Sequence, residues 1–201
     1  MRRVFILSPA KVGGVRARLL LNRRSPFALA RQFHTSGLPL ADIFSFASAL
    51  YFRGKITYAR HFADARSGDL IRVITANAGL VDPDRIVTPA ELRAFGRVDI
   101  NEDNPRYRLP LQRDVKAVAR ELGGGGIAVL LGSIATEKYR EVLLEVFGER
   151  VVFPRDFVGR GDMSRGGLML RAARADVELP YITVQGAVLK GKRAPRIADM
   201  R

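Results

Sequence analysis

The residues with the clearest capacity for chemistry form one short segment, Gly159-Arg160-Gly161-Asp162-Met163-Ser164-Arg165-Gly166-Gly167. It holds four glycines, two arginines, an aspartate and a serine in nine residues. Glycines let a backbone approach a phosphate closely and aim several N–H groups at it. Arginines add planar, paired donors. A helix beginning near Ser164 would add the favourable potential of its N-terminus. Arg160, Gly161, Ser164 and Arg165 are therefore candidate ligand-binding residues. The segment matches neither a P-loop nor a dinucleotide fingerprint. A surface loop with solvated arginines is the plain alternative.

A second candidate is Ser8-Pro9-Ala10-Lys11, directly after the first apolar run. Lys11 there can bind phosphate or, if desolvated, act as a base or imine-forming amine. Asn77 and Gly79 occupy the same place after the second apolar run, and Ser133 follows the third. Asn77 suits either a base or ribose edge or a left-handed turn. Asp82 and Asp84 flank Pro83; Asp84 is the candidate acid–base group, although Asp-Pro is also turn chemistry. His34 and His61 lack a partner motif and read as surface or helix-face residues. No metal site and no cofactor are implied.

The elements that must position these groups follow from periodicity. Residues 4–7, 70–75, 127–131, 151–153 and 181–184 read as buried strands. Residues 15–35 contain at least one arginine-rich helix. In 41–63, Gly54 is expected to divide two elements, since glycine is costly inside a helix. Thr88-Pro89 with Glu91 forms a helix start. Residues 97–110 read as a loop. Residues 112–122 read as a helix closed by Gly123 to Gly126, and Thr136 as the cap of the next helix. The Gly159–Gly167 loop then leads into a helix at 168–171. Apolar strands alternating with helices predict an α/β fold, a single domain over 1–189 with a mostly parallel central sheet flanked by helices. Residues 190–201 read as a basic, mobile tail. Small and polar residues cluster just after the strands, at the carboxyl edge where open α/β sheets bind ligands.

Composition sets the limits. The 201 residues are 47% hydrophobic, enough for one core. There is no cysteine, which removes disulfides, thiolate metal sites and cysteine nucleophiles. The four-residue apolar run near the N-terminus fits a first strand better than an export signal, so a cytoplasmic location is expected. No lipidation motif or membrane-length apolar run is present, so no membrane partner is expected. Lysine and arginine total 34 against 20 acids, a net charge of +14. That field favours phosphate-rich partners, above all nucleic acid.

Several motifs, in order, resemble the YaaA peroxide-stress protein family. Ser8-Pro9-Ala10-Lys11 is similar to the Ser-Pro-Ala-Lys at that family's start. Phe52-Arg53-Gly54-Lys55-Ile56-Thr57-Tyr58 resembles its Phe-x-Gly-x-Val-Tyr segment. Ile74 through Asp84 resembles its Leu-Ser-x-x-Tyr-Gly-x-x-x-Pro-x-Asp region, with Ala78 in place of the tyrosine. Ser133 through Tyr139 resembles its Ala-Ser-x-Glu-Tyr box, and Arg160 through Arg165 its Arg-Gly-x-Met-x-Arg motif. The chain looks like a distant, shortened member, with a shorter region between the first strand and Phe52. The resemblance implies a single α/β domain, DNA binding and a role in limiting oxidative damage, without a settled reaction. The leading expectation is thus a DNA-associated protein that binds phosphate through Lys11, Arg160 and Arg165. The alternative is an enzyme acting on a nucleotide, nucleoside or nucleobase, with Lys11, Asn77, Asp84 and Arg165 converging in one pocket. A third is a stress-related interaction protein with a vestigial pocket.

Overall fold

The apolar runs become the strands of one sheet. A computed structural model of the chain describes residues 1–135 and 137–187; the expected cap at Thr136 and the expected tail at 190–201 lie outside the described residues. The chain runs β1 (Arg3–Leu7), α1 (Val15–Leu21), α2 (Ala28–Ser36), β2 (Leu38–Pro39), α3 (Leu40–Ser48) and α4 (Leu50–Phe62). It continues through β3 (Leu70–Ile74), β4 (Leu80–Val81), β5 (Ile86–Val87), α5 (Pro89–Phe95) and α6 (Pro105–Leu122). It ends with β6 (Ile127–Leu131), α7 (Glu137–Phe147), β7 (Val151–Pro154), α8 (Asp162–Ala175) and β8 (Tyr181–Thr183).

The sheet order is β4-β3-β1-β6-β7-β8. β3, β1, β6 and β7 are parallel, and β4 and β8 add antiparallel edges. The fold is therefore α/β with a mostly parallel central sheet, as the apolar strand runs predict. Val4 to Leu7 of β1 and Ala128 to Leu131 of β6 are fully buried, which explains why neither strand alternates with polar residues. β2 and β5 form a separate antiparallel ribbon. The chain leaves β1 toward β3 but leaves β6 toward β7. Right-handed crossovers then place the two connections on opposite faces. Helix packing agrees: α4 lies on α8, and α6 lies on α7. The strand order reverses between β1 and β6, which makes their carboxyl ends the sheet's topological switch point.

Three boundaries differ from the sequence expectation. Gly54 does not end a helix. The break falls at Ala49, held at φ +51°, and Gly54 sits inside α4. A Cβ at Gly54 would lie 2.6 Å from the Gly166 carbonyl oxygen, and one at Gly166 would lie 2.7 Å from the Leu50 carbonyl oxygen. Two glycines thus let the backbones of α4 and α8 touch, and close packing outweighs the propensity cost. The expected loop at 97–110 is helical from Pro105: the Asn104 side chain accepts from the Arg106 N–H at 3.1 Å, and Pro105 occupies the first turn, where its missing N–H costs little. Pro110 is accommodated inside this helix. The Gly159–Gly167 segment is not mainly a loop either. Gly161 is the N-cap of α8, and the Arg165 N–H already donates to the Gly161 carbonyl at 3.0 Å. The Thr88–Glu91 start, by contrast, is realised as a full capping box.

Candidate functional site

The loop after β1 forms one side of a cleft of about 700 Å³ at the carboxyl edge of the sheet. Pro9, Ala10 and Lys11 supply that side, Ala76 after β3 adds to it, and Lys138 and Tyr139 come from the start of α7. Phe95 of α5 and the segment Gly96 to Ile100 complete it. Its walls are mixed: Phe44, Phe95, Val98 and Tyr139 are apolar, while Lys11, Arg97 and Lys138 bring positive charge and Asp99 one negative. The volume falls in the range of about 300–1,000 Å³ typical of small-ligand sites.

One residue deeper than Pro9 lies a buried polar pair that sequence reasoning missed. Lys55 of α4 is only 1% exposed. Its Nζ donates to the Ser8 carbonyl at 3.0 Å and to Ser8 Oγ at 2.7 Å. It also stands 3.8 Å from the centroid of the Tyr51 ring. Burial pushes the Lys55 amine down to about 7; the Asp162 carboxylate opposes this, and the Arg165 guanidinium adds to it. Gly132 closes the other side of Ser8, since a Cβ there would meet Ser8 Cβ at 2.9 Å. Among the described residues the buried Tyr51 hydroxyl meets no partner at full hydrogen-bond geometry, although the Arg165 guanidinium stands close enough to act on it. Burial raises its pKa, with Arg165 countering and Asp162 reinforcing. Tyr139, which borders the cleft, is pushed up to about 12 by burial and by Asp162. A signal for Lys55 was present in the sequence. It lies four residues from both Tyr51 and Ala59, on the apolar stripe of a helix, where a lysine must be buried with partners.

The other candidates separate into distinct places. Lys11 is exposed on the lip of the cleft, so the desolvation that would make a reactive amine belongs to Lys55 instead. Arg160 is buried; its Nε donates to the Asp156 carbonyl at 2.9 Å and its Nη1 to Ser164 Oγ at 3.3 Å. Arg165 Nε donates to the Phe157 carbonyl at 3.2 Å, its guanidinium lies 5.6 Å from the Phe157 ring, and Nη1 is 3.6 Å from Asp162. Both arginines therefore brace α8 and the turn before it. Ser133 Oγ accepts from the Ala135 N–H at 3.3 Å. Gly79, at φ +66°, is a close-packing residue: a Cβ there would strike Asp114 Oδ2. Asn77 is half-buried in the β3–β4 turn, which the Thr75 side chain holds through the Ala78 N–H and the Gly79 carbonyl. Asp84 is on an exposed turn, paired with Arg60, and its N–H donates to Asp82 Oδ1 at 2.9 Å. Among the described residues, neither Asp84 nor Arg165 borders the cleft, so the expected four-residue pocket does not assemble. His61 pairs with Asp176 at 2.8 Å, and among the described residues no cluster of His, Asp or Glu could hold a metal ion.

Charge gathers beside the cleft. The first acidic residue of the chain is Asp42, whereas Lys11, Arg16, Arg18, Arg23, Arg24 and Arg31 precede it. All six are exposed, as are Arg93 and Arg97 around the end of α5. None of the eight forms an ion pair among the described residues. Arg93 donates to the Leu21 carbonyl at 3.5 Å, which ties α5 to the end of α1. The lip residues Lys11, Val12 and Gly13 run straight into α1 through its N-cap, Gly14. Basic face and cleft are thus continuous. Among the described residues, no helix is long and apolar enough to cross a membrane.

All five motif segments resembling the YaaA family contribute to this neighbourhood, through Ser8, Lys55, Ala76, Tyr139 and Arg165 in chain order. Comparison with protein-family models, with curated proteins and with solved structures found no match. The likeness to that family rests on the motifs themselves.

Proposed function

We propose that the protein associates with nucleic acid, DNA by preference, through the basic face of α1, α2 and α5 beside the cleft, of which the α1 and α2 part carries no acid. The single observation that carries this reading is the run of unpaired cations. Six exposed cations fall between residues 11 and 31 before any acid occurs, and two more stand on the adjoining α5 segment. Elsewhere Arg60, Arg72, Arg85 and Arg108 are matched by carboxylates, while Arg53, Arg66, Arg106, Lys116, Arg120 and Arg174 form no ion pair among the described residues; what sets the N-terminal face apart is that no acid occurs before Asp42. A field left unneutralised over one face suits the phosphate backbone, and release of condensed counterions supplies the affinity. The phosphate grip lies with Lys11 and the α1–α2 arginines; Arg160 and Arg165 organise the scaffold behind it. The likeness in motifs would place such binding in protection from oxidative damage.

The test is a gel-shift or anisotropy titration of duplex DNA at about 50 and 200 mM salt. Affinity should fall steeply, with log K changing by about 0.9 per log salt for each phosphate neutralised. The pair Arg23→Glu and Arg24→Glu should weaken binding and reduce that slope. Absence of binding to DNA or RNA at low salt refutes the proposal.

A second reading, an enzyme acting on a nucleotide or nucleobase, is favoured by one observation. A lysine amine held near neutrality lies 2.7 Å from a serine hydroxyl at the sheet's switch point. An uncharged amine in that position can take a proton from the hydroxyl. Turnover of nucleotide substrates that is lost in Ser8→Ala would support it.

A further inference from the structure

We infer that the cleft lined by Lys11, Phe95, Arg97 and Tyr139 holds a single unstacked nucleotide unit, its base against the apolar walls and its phosphate at the cationic lip. The inference rests on the nucleic-acid reading above and adds to it a site for one base.

Three features point to this ligand. First, composition: a free inorganic phosphate would not need the walls of Phe44, Phe95, Val98 and Tyr139, and a purely apolar ligand would not need Lys11, Arg97 and Lys138. A nucleotide has both a flat aromatic part and an anionic part. Second, polarity within the cleft: among the described residues Asp99 is the one carboxylate on the lining, an acceptor able to take an exocyclic amino group or a sugar hydroxyl. Third, continuity: the lip residues Lys11 to Gly13 pass into α1, so a strand lying on the basic face passes the cleft mouth. A base paired inside a duplex cannot reach a concave site; only an unpaired or extruded base can. The cleft therefore favours single-stranded or locally opened nucleic acid. Base-on-aromatic contact is tolerant of sequence, because every base has a π face.

Gly13 offers a clean way to close the cleft. It lines the site, and a Cβ built there meets nothing within 4 Å, so a side chain can start there without a backbone clash. Binding of three probes is measured for the parent protein, for Gly13→Trp and for Phe95→Leu: a single-stranded oligonucleotide, the same sequence as duplex, and free dAMP. A thermal melt checks that each variant is folded. The expected result is tighter binding of the single strand than of the duplex, with Gly13→Trp lowering single-strand and dAMP affinity about 5-fold or more. Duplex affinity and its salt slope should stay unchanged. Equal binding of single strand and duplex, no dAMP binding and indifference to both variants would overturn the inference while leaving the nucleic-acid reading intact. Binding of dAMP alone, abolished by Gly13→Trp, would keep the nucleotide site and sink the nucleic-acid reading. No binding of any probe would sink both.

Discussion

Replacing Lys55 by methionine isolates the cost of burying its amine. The side chain is wholly enclosed, with its amine drawn down to about 7 from an ordinary value near 10.5. In the folded protein the amine gives up its proton near pH 7, whereas in the unfolded chain it keeps the proton until about pH 10.5. Between those limits the unfolded state binds the extra proton, so stability rises with pH. Below pH 7 both states are protonated and the full penalty applies; above about 10.5 both are neutral and it vanishes. The slope approaches about 1.4 kcal/mol per pH unit. It is shallower near pH 7, where the folded amine is half titrated, so the gain from pH 7 to pH 9 is about 2 kcal/mol. The Tyr51 hydroxyl that faces the amine does not confuse the result, because burial raises its titration beyond this window. Urea unfolding at pH 7, 8 and 9 should therefore show the parent gaining about 2 kcal/mol over Lys55→Met, roughly half of it by pH 8. A stability difference that is flat over that range would mean that Ser8 and the Tyr51 ring keep the amine charged. A difference that shrinks would reverse the sign and refute the reasoning outright.

Two further predictions concern the scaffold. Gly54→Ala drives a methyl group to 2.6 Å from the Gly166 carbonyl oxygen, and overpacking of this kind costs about 1–3 kcal/mol, readable as a lower melting temperature; an unchanged melt would show that α4 and α8 can move apart freely. Tyr58→Phe removes the hydroxyl that accepts from the buried Leu179 N–H at 2.9 Å and meets the Tyr181 hydroxyl at 2.7 Å. The stranded N–H should cost about 1–3 kcal/mol in urea unfolding, and a neutral result would mean that water replaces the hydroxyl.

Much of the architecture is legible in the chain because it depends on local chemistry. β1 and β6 are continuous apolar runs since they lie inside the sheet, and α5 starts where threonine, proline and glutamate stand at capping spacing. What escapes a local reading is set by distant contacts. Gly54 is costly in an isolated helix, and only the facing Gly166 explains why it stays in one. The helical break at Ala49 has no glycine or proline to announce it. The antiparallel β2–β5 ribbon joins segments of two residues each, too short for any periodicity. At the site, the strand-end position of Ser8 and Lys11 follows from the sequence, and so does an excess of positive charge. The division of labour does not. Arginines at 160 and 165 look free in one dimension, yet the turn before α8 folds them onto carbonyl groups. The place of Lys55 on the stripe of Tyr51, Phe52 and Ile56 signals burial, but its partner Ser8, 47 residues away, emerges only in the folded chain.

The contact between Gly54 and Gly166 also fixes more than helix spacing. Each glycine is the chain neighbour of a charged residue of the buried cluster: Lys55 follows Gly54, and Arg165 precedes Gly166. The backbone touch thus works as a registration pin. A slide of α8 along α4 by one turn, about 5.4 Å, would separate the guanidinium from the amine and expose the Tyr51 hydroxyl. Any descendant of this chain that gained a side chain at either glycine would have to rebuild its buried electrostatics in the same step, so packing and polarity here are inherited as one unit.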